Sequence, residues 1–320
     1  MKATKDPQVT QRPRTPPEAN VILAEQDRRQ RAGAGVRDRA LTILAAYLAV
    51  TLAPAIAAAL RGAPAAIAIA HVVALIVVAW LVHSSGQPAR VPVWRDWLPL
   101  SVVPFLYGEL RYLIGGVGAP LHDAAVQQWE SGLFGTSPAQ TFAVAWPFRP
   151  VSEILHAGYL AYYLIIYAPP LVLYLRGRRE TFRRVSAALI ATFALCFALF
   201  VVFPVAGPRY LWPAGGVPHG VMRSLAVALL EAGSSPGTAF PSSHVAIAVV
   251  QTGLTLATQR RLGVITGVLT VLLATGAVYG GFHYAVDVIA GALVGGVAAV
   301  VAVPWIRSGS TNTREASATD

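Results

Sequence analysis

Charge is scarce in this chain: across 320 residues, Asp, Glu, Lys and Arg amount to 12%, against 55% hydrophobic residues. A water-soluble globule could not cover itself with so little polar surface, and a mean hydropathy of +0.56 agrees, so the soluble classes give way to a membrane protein. Cysteine is almost absent. Cys196 stands alone inside an apolar run, which excludes an intramolecular disulfide and a thiolate metal cluster and leaves a small buried apolar residue. Lysine occurs only at Lys2 and Lys5, so arginine carries most of a formal net charge of +10. The arginines cluster in the N-terminal tail and in short segments between apolar runs, the placement expected of cytoplasmic loops rather than of a nucleic-acid surface. Also missing from residues 1–40 is any apolar stretch long enough for a signal-peptide core. They read as a disordered basic cytoplasmic tail.

What is present is a series of apolar runs. A bilayer core takes about 20 apolar residues per helix, and the runs 41–60, 65–82, 154–175, 186–206, 262–282 and 286–306 approach that length. Two more are marginal. Run 243–258 is short but follows Pro241-Ser242-Ser243, whose hydroxyls suit a helix start. Run 97–114 carries Pro99, Pro104, Glu109 and Arg111, and charge placement decides it. With the arginine-rich loop 176–184 and Arg260-Arg261 inside, segments 204–240 and 280–284 fall outside, and the basic N terminus lies inside only if 97–114 also crosses. The expectation is an all-α polytopic membrane bundle of about eight spans, multi-pass in the cell membrane, with both termini cytoplasmic. It divides into the tail 1–40, a transmembrane hairpin 41–94, a membrane-embedded catalytic domain 95–306 and a cytoplasmic tail 307–320. Segment 115–153, of mixed polarity, is expected along the outer membrane surface as amphipathic helices.

His244 begins one span and His283 ends the next, so antiparallel helices bring both imidazoles to one face of the membrane. Asp287 follows His283 by one helical turn, close enough for its carboxylate to fix the imidazole tautomer and leave Nε2 as a nucleophile. His244 can protonate a departing oxygen. The backbone amides at Ser242, Ser243 and His244, at a helix N terminus, suit an anion, and Arg209, at the outer end of another span, suits phosphate. Each has a bland alternative: an intramembrane histidine as a packing residue, and Arg209 as an interfacial anchor. Ionisable groups at membrane depth are costly, and three on one face favour catalysis. His71, His83, His122, His156 and His219 have no spaced partner that implies a role, and Arg149, beside aromatics, reads as interfacial.

Phe240-Pro241-Ser242-Ser243-His244 and Tyr279-Gly280-Gly281-Phe282-His283-Tyr284-Ala285-Val286-Asp287 resemble the second and third signatures of the type 2 phosphatidic acid phosphatase superfamily. Leu133-Phe134-Gly135, Gly207-Pro208-Arg209-Tyr210 and the stretch 156–163 resemble the branch that holds the inositol phosphoceramide synthases. Over residues 95–305 the resemblance implies a six-helix phosphatase-like core, a cofactor-free and metal-independent phosphohistidine mechanism, and lipid phosphoesters as substrates. Two basic ligands of the phosphatase signatures are missing: Phe142 stands where the first has Lys, and Gly276-Ala277 stand where the third has Ser-Arg. The motifs leave water and alcohol open as acceptors. A lipid transporter or flippase would instead carry its ionisable groups at mid-membrane, and a metal site built from His244, His283 and Asp287 is a third reading.

Overall fold

The computed structural model describes residues 39–84, 91–212 and 216–317. Most of the expected tail 1–40 therefore lies outside the described residues. Among the described residues fourteen helices follow one another: α1 (Arg39–Leu60), α2 (Ala65–His83), α3 (Val93–Ser101), α4 (Val103–Val117), α5 (Asp123–Phe134), α6 (Pro138–Ala145), α7 (Arg149–Leu160), α8 (Tyr162–Leu175), α9 (Arg179–Val202), α10 (Pro208–Leu211), α11 (Val221–Gly233), α12 (Ser243–Thr258), α13 (Arg260–Tyr279) and α14 (Ala285–Ser317). Among the described residues there is no strand; one isolated parallel bridge joins Val205 to Thr238. The bundle is all-α and polytopic.

Among the described residues, five helices are long and apolar enough to cross a bilayer: α1, α2, α9, α13 and the Ala285–Ser308 part of α14. The pair α7 and α8, bent by 42° at Ala161, adds a sixth candidate when it is counted as one broken span. Two of the expected eight fall short of that measure for visible reasons. Helix α12 has 16 residues, and the stretch 97–114 is interrupted at Val102 and carries Glu109 and Arg111, with Arg95 and Asp96 just before it in α3. Even so, α3 and α4 together reach from one end of the bundle to the other. Arg183 at the start of α9 pairs with Asp96 at 2.6 Å, while Arg61 at the far end of α1 donates to the Gly116 carbonyl at 2.6 Å.

The arginines of loop 176–184 share their end of the bundle with Arg39 and Trp305: the guanidinium groups of Arg39 and Arg184 stack over the Trp305 ring, and Arg184 also donates to the Trp305 carbonyl. Helix α14 runs on past the expected span end at 306, to Ser317. The main apolar core unites α1, α4, α8, α9 and α12 through residues such as Leu44, Leu113, Ile165, Phe197 and Ile247. Outward, α2, α13 and α14 present exposed Ile76, Trp80, Val268, Val271, Val297 and Val300, the surface a bilayer covers. His71, for which sequence spacing offers no partner, has one: its Nδ1 lies 2.6 Å from Glu109 Oε1, tying α2 to α4. A partner 38 positions away is invisible to local spacing.

Two close approaches set the frame for the histidines. Gly291 and Gly295, one turn apart on α14, let that helix lie directly on α12, because a Cβ at either would stand 2.4 Å from the Ser242 carbonyl or 2.3 Å from that of Ala246. Small residues four apart allow this kind of backbone contact between membrane helices. The start of α12 is thereby held beside the start of α14.

Candidate functional site

Helix α12 starts where Ser242 caps it, the Ser242 Oγ accepting from the Val245 amide at 3.5 Å. Helix α14 starts after Tyr284 by a related device: the Asp287 carboxylate, three residues on, reaches back to accept the Tyr284 amide at 2.9 Å. The two starts are stitched together, since the Ser242 amide donates to the Asp287 carbonyl at 2.9 Å. His244 and His283 are thereby brought to one cavity, which Arg209 also lines, with imidazole centroids 6.0 Å apart.

His283 sits in the turn between α13 and α14 and is buried. Its Nδ1 faces two acceptors, the Ala239 carbonyl at 3.1 Å and Asp287 Oδ2 at 3.4 Å. A nitrogen between two acceptors carries the proton, so the lone pair is on Nε2. The carboxylate contact is longer than the expected reach of about 2.6–3.2 Å; the nearer orienting group is the Ala239 carbonyl, which sequence spacing does not reveal. Burial, joined by the nearby Arg209 guanidinium and opposed by the Ala239 hydrogen bond, lowers the His283 pKa to about 4. At neutral pH the ring is uncharged.

His244 is held between aromatic rings, with Tyr162 at 4.3 Å and Tyr159 at 5.4 Å between centroids. Arg209, on the short helix α10, is partly exposed; its guanidinium lies 4.4 Å from the Tyr210 ring and donates to the Tyr210 hydroxyl at 2.6 Å. Ser243 lines a second, adjoining cavity together with His244. Ser242 lines neither and is fully buried, its amide and hydroxyl both spent on the backbone. Of the three amides that the sequence offers to an anion, those of Ser243 and His244 remain, in the first turn where no intrahelical carbonyl reaches them. Arg149, His83 and His219 are exposed.

The sequence model of the PAP2 superfamily matches residues 126–301, more than half of the chain. The chain belongs to the PAP2 superfamily. No curated protein and no solved structure matches it. The matched stretch contains Arg209, His244, His283 and Asp287, whereas helices α1–α4 precede it. With its long apolar helices, this PAP2-superfamily chain is a multi-pass membrane protein of phosphatase type.

Two acidic residues of this PAP2 protein escaped the reading of its sequence. Asp123 and Glu130, two turns apart on α5, are buried with Val126 between them. The Asp123 carboxylate accepts the amides of Ala206 at 2.8 Å and Gly207 at 2.9 Å, and the Tyr284 hydroxyl at 3.2 Å. Glu130 accepts the Val286 amide at 3.4 Å and the Ser137 hydroxyl at 2.9 Å. One surface helix thus fastens the loop that bears Arg209 to the turn that bears His283. Acidic residues seven apart with an apolar residue between them mark an inward helix face, and that signal was available. What they would hold was not.

Proposed function

We propose that the chain moves a phosphoryl group on or off a lipid through a phosphohistidine on His283, at the non-cytoplasmic face of the cell membrane. The observation that carries this reading is the union of two cavities. The small cavity that holds His244, His283 and Arg209 shares Tyr107, Tyr159, Leu230, Ser234 and His244 with an apolar one of about 300 Å³, further lined by Tyr162, Ile166, Phe193 and Phe197. Polar phosphate-binding groups that open directly into a hydrocarbon-like space suit a molecule with a phosphoester at one end and an apolar chain at the other.

In the first step the Nε2 lone pair of His283 attacks phosphorus, and the bond from phosphorus to the departing oxygen breaks. That oxygen takes a proton from His244, whose protonated form the incoming anionic phosphate favours. Arg209 and the amides of Ser243 and His244 meet the charge on the equatorial oxygens. Arg209, whose guanidinium donates to the Tyr210 hydroxyl, turns toward the phosphate on binding. In the second step water or an alcohol attacks the phosphohistidine, gives its proton to His244, and releases His283. Hydrolase and transferase differ only in that acceptor. The likeness of Leu133-Phe134-Gly135 and Gly207-Pro208-Arg209-Tyr210 to the inositol phosphoceramide synthase branch keeps transfer to an alcohol as the second reading beside hydrolysis.

The test uses purified protein and lipid phosphoesters labelled at phosphorus. We expect an acid-labile labelled protein, with release of label as phosphate identifying water as acceptor and a labelled alcohol product identifying transfer. If no lipid phosphoester labels the protein or is consumed, the reading is wrong. The sidedness rests on the arginines of loop 176–184 and Arg260-Arg261, which cap the helix ends opposite the histidines. A cysteine introduced at Ser234 is expected to react with an impermeant reagent on intact cells, and one at Ser310 is not. The reverse pattern would turn the site to the cytoplasm.

A further inference from the structure

We infer that the Tyr159 hydroxyl is a phosphate-binding group of this site, donating to a phosphoryl oxygen at the neck between the two cavities. The inference deepens the function proposed above and rests on it for the identity of the phosphorus compound.

Tyr159 lines both the apolar cavity and the one that holds His244, His283 and Arg209. The residue is only 5% exposed, yet its hydroxyl has no hydrogen-bond partner. A buried hydroxyl is ordinarily paired, and one left open beside a cavity calls for a ligand that completes it. Its surroundings suit an anion: the hydroxyl is within electrostatic reach of the Arg209 guanidinium. The ring itself is fixed, 4.8 Å from Phe282 and 5.4 Å from His244 between centroids, so the hydroxyl is presented without much freedom to lose on binding. Tyr107, the other tyrosine common to the two cavities, already shares its hydroxyl with Thr238 at 3.2 Å.

The backbone explains how Tyr159 comes to stand there. A Cβ at Gly276 of α13 would lie 2.2 Å from the Leu155 carbonyl, and one at Gly158 would lie 2.5 Å from Leu272 Cβ. The absence of both side chains lets α7 lie against α13, and Tyr159 then packs with Ala277, Phe282 and Ala226. A long side chain at Ala277 would compete with the Tyr159 ring for that space. At Gly276 and Ala277, where the chain lacks the Ser-Arg of the third signature, the structure has a tyrosine against the small residue.

The test is Tyr159→Phe, which keeps the ring and its packing and removes only the hydroxyl. Orthovanadate, an oxyanion that imitates the phosphoryl group in transfer, serves as a probe that requires no turnover, read through its effect on the thermal unfolding midpoint. For a donor to a charged oxygen we expect orthovanadate affinity, and kcat/KM for a lipid phosphate, to fall roughly ten- to a hundredfold. The unfolding midpoint without orthovanadate should not fall, because the hydroxyl has no partner to lose. Orthovanadate affinity equal to wild type would overturn the assignment while leaving the function intact, and so would a wild-type protein that binds no orthovanadate. Loss of affinity in Tyr159→Phe, in a wild type that turns over no lipid phosphoester, would support Tyr159 as an oxyanion ligand and sink the proposed function instead.

Discussion

Replacement of His283 by Gln is expected to abolish the labelled phosphoenzyme and to lower kcat by several powers of ten, as loss of a nucleophile commonly does. Glutamine keeps a polar group of similar volume, and its amide can still donate to the Ala239 carbonyl that holds His283 Nδ1 at 3.1 Å, so the fold and lipid binding should survive. The wild-type reaction carries a second signature of the same residue. Because burial and Arg209 lower the His283 pKa to about 4, Nε2 keeps its lone pair throughout the range in which an ordinary histidine gains a proton. Phosphoenzyme formation should therefore persist down to about pH 4, rather than fade near about 6.5, before the imidazolium form takes over. Asp287→Asn should leave more activity than His283→Gln, since the Ala239 carbonyl still faces Nδ1. Labelling of His283→Gln at the wild-type rate would remove His283 from the role of nucleophile.

The second large effect concerns His244 and depends on the leaving group. Transfer from an alkyl phosphate expels a strongly basic oxygen, and without His244 that oxygen departs unprotonated. His244→Gln is expected to cost about 10²–10⁴ in kcat on such a lipid. A nitrophenyl phosphate expels an oxygen that needs little protonation, so its phosphoenzyme should form at a rate within about tenfold of wild type. An equal loss on both substrates would mean that His244 binds or packs rather than donates a proton, a reading that its place between Tyr159 and Tyr162 would suit.

Much of the fold was legible because membrane helices announce themselves by length and apolarity. The runs that became α1, α2, α9, α13 and α14 are strong in both. The stretch 97–114 was hard for a physical reason: the Glu109 that spoils its hydropathy is matched inside the bundle by His71, as Asp96 just before the stretch is by Arg183. Hydropathy counts charges and cannot see their partners. Around His283 the sequence conveyed the local relations and missed the distant ones. The spacing from His283 to Asp287 is set by one helix, whereas the Ala239 carbonyl, Asp123 and Tyr159 arrive from other elements. Ser242 shows both sides of this: its hydroxyl caps α12, as its place before the apolar run suggests, while its amide, offered by the sequence to an anion, donates to the Asp287 carbonyl of another helix.

The residues around His283 are gathered at one end of the bundle by a few side-chain bonds from α5, through Asp123 and Glu130, while the apolar core extends through α1, α8, α9 and α12. The two have separate sources of cohesion, and a handful of polar contacts made by one short helix opens at a lower free energy than a packed core. Warming a detergent-solubilised sample should thus silence it while its circular dichroism still reports a fully helical molecule. For this protein helicity is a poor certificate of competence, and a preparation that has lost the grip of α5 on the Arg209 loop will pass as intact in every measurement that counts only helices.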